Sequence, residues 1–204
     1  MIEKIAFVGS MFSGKTTAAN MLVTDRGFAK FAFADPVKMV TADLLNTLNG
    51  YLALRGLVMK HSWTFEEIQE RKGEPEVRQL LQIVGTELGR ILVGYEDVWV
   101  DVLINDSRQL KRVVVDDCRY PNEANRLREE GYKIVRILRP ELLRQTMLQE
   151  RYGDRWHDIM KHPSETSLQG YDVDHTIFAK DLDELREGVL NYVQSDETDK
   201  GVED

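Results

Sequence analysis

Eight consecutive residues near the start of the chain, Gly9-Ser10-Met11-Phe12-Ser13-Gly14-Lys15-Thr16, have the types and spacing to do chemistry on phosphates. Two glycines frame the run and Lys-Thr closes it, the pattern of a phosphate-binding loop (P-loop). Gly9 and Gly14 allow backbone angles and close approaches that a side chain would block. Backbone N–H groups of the loop, and of a helix beginning at its end, then converge on phosphate oxygens. Lys15 adds a mobile positive charge near the β- and γ-phosphates, and the Thr16 hydroxyl can ligate Mg²⁺. With Thr17 as the next residue, Gly9 to Thr17 is the expected nucleotide site.

A second stretch, Arg112-Val113-Val114-Val115-Asp116-Asp117-Cys118-Arg119, places two carboxylates after three consecutive valines. The valines read as a fully buried strand, and its carboxyl end is where open α/β sheets bind ligands. P-loop enzymes keep an acid there for Mg²⁺ or its water shell. A solvated strand end with a cap is the alternative.

These groups need elements to hold them. Ile5-Ala6-Phe7-Val8 reads as a buried parallel strand before the loop, and Met21 and Leu22 would pack the following helix onto a sheet. Phe28 to Ala34 reads as a second strand. Asp35-Pro36 reads as a helix start, with Asp35 as N-cap and Pro36 the first helical residue. Lys38, one turn in, is either a solvated helix residue or a charge facing an acceptor phosphate. Thr64 and Glu67 form a capping box for a short helix that stops near Gly73. Pro75 opens a helix over Glu76 to Val84, with Val77, Leu80, Leu81 and Val84 on one face and Gly85 as its stop. Another helix is expected over Val98 to Ser107, with Trp99, Val102 and Leu103 in the core. Pro121 and Asn122 begin a helix ending near Gly131, then Tyr132 to Leu138 is a strand, Thr176 to Ala179 the last strand and Leu182 to Val193 the last helix. The alternation predicts a three-layer α/β fold on a parallel sheet.

The 204 residues suit a single domain over 1–195, and 196–204 reads as an acidic disordered tail. A formal net charge of -8 argues against a nucleic-acid surface. The single Cys118 excludes an internal disulfide, and no leader or long apolar span is visible. A soluble cytoplasmic protein without a membrane partner is expected, in the host cytoplasm were it phage-encoded.

Taken together, the P-loop, Phe33-Ala34-Asp35-Pro36-Val37-Lys38, Leu80-Leu81-Gln82 with Gly85-Thr86-Glu87 and Arg90, Asp97-Val98-Trp99, Asp117-Cys118-Arg119-Tyr120-Pro121-Asn122-Glu123 and His162-Pro163-Ser164-Glu165 resemble the phage deoxynucleoside monophosphate kinases. That family is a branch of the P-loop nucleoside monophosphate kinases, and the resemblance covers roughly residues 2–195. It implies an adenylate-kinase-like fold and transfer of the ATP γ-phosphoryl to a deoxynucleoside 5′-monophosphate, with ATP and Mg²⁺ as cofactors. Lys15, Asp117 and Arg119 would be catalytic, and Thr16 and Asp117 would hold the metal. Asp35, Lys38, Glu87, Arg90 and Arg119 would line the acceptor side, with about 36–96 forming the acceptor-binding helices. The segment 139–165 would be a lid, with Arg139, Arg144, Arg151 and Arg155 as its candidate arginines. His162, Ser164 and Glu165 match the family without an assigned role. Small-molecule nucleotides are the expected partners, and a homodimer is left open.

A GTPase switch is excluded by the absence of Asp-x-x-Gly and Asn-Lys-x-Asp. A phosphomevalonate-kinase-like enzyme shares the P-loop and Asp-x-Arg, and is the nearest rival. A nucleotide-binding module without turnover is the rival from another class.

Overall fold

The computed structural model describes residues 2–57, 62–161 and 163–195. The acidic segment 196–204 and His162 lie outside the described residues. Residues up to Ala32 form one compact unit with those from Asp106 onward, and Phe33–Asn105 forms another.

The first unit is built on a parallel five-stranded sheet: β1 (Lys4–Val8), β2 (Ala29–Phe31), β3 (Val113–Val115), β4 (Lys133–Leu138) and β5 (His175–Phe178), in the order β2-β3-β1-β4-β5. β1 is central, with Ile5 level with Val114 on one side and Lys133 on the other. The strands read as apolar runs because both faces are covered. On one face Ile5, Phe7, Val114, Val135 and Ile137 meet Ala18 and Leu22 of α1 (Lys15–Arg26) and Leu185, Val189 and Val193 of α10 (Leu182–Ser195). Alternate residues point the other way, and Ala6, Val8, Val113 and Ile134 are also fully buried. α6 (Pro121–Glu129) packs against β4 with Ala124 and Leu127 buried. The expected three-layer arrangement on a parallel sheet is what the chain adopts. α7 (Glu141–Tyr152), a 3-10 turn (Gly153–Arg155), α8 (Trp156–Met160) and α9 (Pro163–Thr166) fill the connection from β4 to β5.

The second unit contains α2 (Ala34–Ala53), α3 (Phe65–Arg71), α4 (Pro75–Gln82), a π-helical segment (Ile83–Leu92) and the start of α5 (Val98–Ser107). The Thr64 cap forms as expected, its hydroxyl accepting the Glu67 N–H at 3.3 Å. Two expectations are corrected. α2 begins at Ala34, with Phe33 at the cap position, so Asp35 is not the cap: its carboxylate accepts from Lys38 instead. Gly85 does not stop a helix either, because the chain continues into the wider π turns. The indole Nε1–H of Trp99 donates to the Gly85 carbonyl at 2.7 Å, and its ring fills the space where a Cβ on Gly89 would stand, 2.4 Å from Cζ2. Val84 and Val37 are buried beside that ring, with Leu80, Leu81 and Val98 against them. Of the expected core residues of α5, Trp99 and Leu103 are buried and Val102 is half-buried.

Candidate functional site

The loop between β1 and α1 has the strain its sequence predicts. Gly9 and Gly14 sit at φ 141° and 107°. A Cβ on Gly9 would lie 2.5 Å from the Ile137 carbonyl oxygen, so no other residue fits against the neighbouring strand end. Phe12 also holds a positive φ of 61°. The turn is closed by Ser13 N–H donating to the Ser10 carbonyl. Ser13 Oγ is buried without a hydrogen-bond partner among the described residues, and the first N–H groups of α1 have no intrahelical acceptor. The loop is therefore rich in donors.

Lys15 folds back over the loop and donates to the Gly9 carbonyl at 2.6 Å and the Ser10 carbonyl at 3.0 Å. Its pKa is lowered from 10.5 to about 8, chiefly by burial and then by the Arg119 charge, against opposing fields from Glu165 and Asp116. Thr16 is exposed in the first turn of α1 and Thr17 is half-buried behind it.

Both acids follow β3. Asp116 is nearly buried and pairs with Lys30 of β2 at 3.6 Å. Asp117 is half-buried, and its charge acts on the neighbouring Cys118. The Cys118 thiol is buried, and burial holds its pKa well above the usual range. Arg119 is fixed at two points. Its backbone N–H, with that of Tyr120, donates to the buried Glu123 carboxylate at the start of α6, at 2.8 and 3.1 Å. Its guanidinium donates to Glu165 Oε1 at 2.9 Å. Gly9, Ser10, Cys118, Arg119, Arg136 and Glu165 border a cavity of about 280 Å³ beside the loop.

The first unit thus gathers the P-loop, Asp116, Asp117 and Arg119. Of the expected lid arginines, Arg144 is nearly buried, its Nε–H donating to the Met11 carbonyl at 3.1 Å, one terminal nitrogen to Glu141 and the other to the Met160 sulfur. Arg139 lies against Met147, and Arg151 and Arg155 are exposed. The second unit carries the other candidates. Lys38 is buried, 2.7 Å from Asp35 Oδ1 and 5.3 Å above the Phe65 ring. Glu87 and Arg90 lie on the π-helical segment, the first exposed and the second half-buried.

Two residues stand out that sequence reasoning left without a role. Glu123 sits three positions beyond Tyr120, the spacing of a capping carboxylate, so its function was legible. Glu165 had no such signal, because its partners Met11 and Arg119 lie 154 and 46 residues away.

No family model matches the chain. Among solved structures it resembles the dephospho-CoA kinase of Campylobacter jejuni, at 15% identity and a TM-score of 0.52 over 95% of this chain and 96% of that one. It also resembles TT1252 of Thermus thermophilus, at 16% identity and a TM-score of 0.51 over 96% and 97%. The fold is that of the P-loop kinases. Among curated proteins, a putative deoxynucleotide monophosphate kinase of Acanthamoeba polyphaga mimivirus is 28% identical over 193 residues, 83% of this chain and 85% of that protein. The deoxynucleoside-5′-monophosphate kinase of Escherichia phage T5 is 30% identical over 121 residues, 56% of this chain but 44% of the phage protein. The chain is thus similar to two viral proteins with deoxynucleotide monophosphate kinase in their names, to the mimivirus protein over 83% of its length and to the phage protein over 56%.

Proposed function

We propose that the chain transfers the γ-phosphoryl of ATP to a deoxynucleoside 5′-monophosphate, giving the diphosphate and ADP. One observation supports this above the others: a donor-rich P-loop with Lys15 stands beside two carboxylates and an anchored Arg119, in a chain related to viral enzymes of that name.

The loop amides and the N-terminus of α1 bind the donor phosphates, and Gly9 to Thr17 shape that cradle. Lys15 exchanges its carbonyl partners for phosphate oxygens and meets charge as it develops on the transferred group. Arg119 neutralises charge beside it. Lys38 and Arg90, with Asp35 and Glu87, orient the acceptor monophosphate. Arg139, Arg144, Arg151 and Arg155 are the lid cations.

The oxygen donors present, the exposed Thr16 hydroxyl and the carboxylates after β3, suit a hard cation such as Mg²⁺ that keeps phosphate and water ligands. Thr16 and Asp117 would hold it, Asp117 being the acid of the strand-end Asp-x-Arg that the resemblance points to. Once bound, the ion neutralises phosphate charge. No helix among the described residues is long and apolar enough to cross a membrane. The proposed enzyme is cytoplasmic, and its partners are small nucleotides.

The test is ATP consumption measured against a panel of deoxy and ribo monophosphates alongside phosphomevalonate. Turnover is expected with one or more deoxynucleoside monophosphates. Turnover with phosphomevalonate alone would move the chain to the rival small-molecule kinase, and none with any acceptor would leave a binding module.

A further inference from the structure

Met11, the third residue of the P-loop, is held on both sides of its backbone by the connection between β4 and β5. Its N–H donates to Glu165 Oε2 at 2.6 Å, and its carbonyl accepts from Arg144 Nε at 3.1 Å. The other oxygen of the same carboxylate, Oε1, receives the Arg119 guanidinium at 2.9 Å. Glu165 is nearly buried, its side chain 3% exposed. A carboxylate that deep is stable only if both oxygens are paired. Here the two partners are a phosphate-loop amide and an arginine anchored after β3. The four-residue α9 that carries Glu165 is capped onto itself, Ser167 N–H donating to the Pro163 carbonyl at 2.8 Å, so the carboxylate is presented from a closed turn.

We infer that Glu165 is a positioning residue: through one carboxylate it sets the Arg119 guanidinium and the tip of the P-loop in register. The inference rests on the phosphoryl-transfer reading above. Without Glu165 the arginine keeps its backbone anchor on Glu123 but its head loses the bond to Oε1, and the loop loses one of the two bonds that fix Met11. Charge stabilisation at the transferred group is lost more than ground-state binding is, because preorganised groups act at the transition state.

The test is a double-mutant cycle on Glu165→Ala and Arg119→Ala, with Glu165→Gln as the isosteric variant that keeps an acceptor for the Met11 N–H. Glu165→Ala is expected to lower kcat by about tenfold or more, with both KM values changing by less than about threefold. In the Arg119→Ala background the same substitution should cost less than about threefold, since the arginine it positions is gone. Equal factors in the two backgrounds would make Glu165 a structural residue and overturn the inference. Tighter ATP binding in Glu165→Ala would overturn it too, by showing that the carboxylate obstructs the loop. A second readout needs no turnover: NMR hydrogen exchange of the Met11 amide and of the Arg119 guanidinium. In Glu165→Gln the Met11 amide should stay protected while the Arg119 signal loses protection, and Glu165→Ala should expose both. Protection unchanged in both variants would refute the clasp. If the unsubstituted protein phosphorylates no monophosphate, the functional reading falls and the exchange measurement alone decides.

Discussion

Lys15 stores electrostatic free energy in the nucleotide-free protein, and replacing it by Met should release that energy in a pH-dependent way. Its pKa is lowered from 10.5 to about 8, first by burial and then by Arg119. At about 1.36 kcal/mol per unit, the full shift would set an upper limit of about 3.4 kcal/mol. The side chain is only partly buried, and solvent screening reduces this to about 1–2 kcal/mol. Below about pH 8 the lysine is charged in both the folded and the unfolded chain, and the folded state bears the whole penalty. Between pH 8 and 10.5 the folded protein has released the proton while the unfolded chain still holds it, so stability rises with pH. The substitution also removes the bonds to Gly9 and Ser10, which offsets its gain by an amount that does not follow this titration. The decisive quantity is therefore the difference in unfolding free energy between the unsubstituted protein and Lys15→Met, followed by urea denaturation in EDTA from pH 7 to pH 10. It should move by about 1–2 kcal/mol in favour of the unsubstituted protein as pH rises. A difference that is flat across the range, or that moves the other way, would refute the reasoning. Turnover by Lys15→Met should be lost by about a hundredfold or more, as for other preorganised electrostatic groups.

Three further outcomes are expected. Asp117→Asn should lower the Mg²⁺-dependent rate more than Asp116→Asn, read from kcat across a magnesium titration; equal losses, or a larger one at Asp116, would transfer the role to the buried acid paired with Lys30. Arg90→Ala should lower kcat/KM for the monophosphate by about tenfold or more and leave the KM for ATP little changed, since a charge-assisted contact is worth about 1.5–3 kcal/mol; a loss confined to ATP would put Arg90 on the donor side. Gly89→Ala should destabilise the protein by about 1–3 kcal/mol in denaturant, because the new Cβ would overlap the Trp99 ring; unchanged stability would show that the π-helical segment does not depend on that contact.

What could be read from the sequence was whatever is fixed within a few residues. The spacing of Gly9 and Gly14 encodes the loop, the three valines of β3 encode burial on both faces, and Thr64 with Glu67 encodes a cap. Misreadings came where a distant partner decides. Gly85 has the local signature of a helix stop, yet its carbonyl accepts from Trp99, fourteen residues on, and Gly89 leaves room for that ring as the chain continues in π turns. Asp35 is a local exception: it has the signature of an N-cap, but the helix begins one residue earlier, at Ala34, and Lys38 three positions on takes its carboxylate. Glu165 reaches Met11 across 154 residues, a pairing that only the order of strands in the sheet brings about. Arg144, a candidate lid arginine, donates to the Met11 carbonyl 133 residues away, a contact that no local pattern signals.

The central claim is that a phosphoryl group passes from ATP to a deoxynucleoside monophosphate, and the most direct measurement follows that group. Incubation with γ-labelled ATP, Mg²⁺ and each of the four common deoxynucleoside monophosphates, with products separated by chromatography, should place the label in a deoxynucleoside diphosphate in amounts matching the ADP formed. Label recovered only as inorganic phosphate, or retained in ATP with every acceptor, would contradict the account.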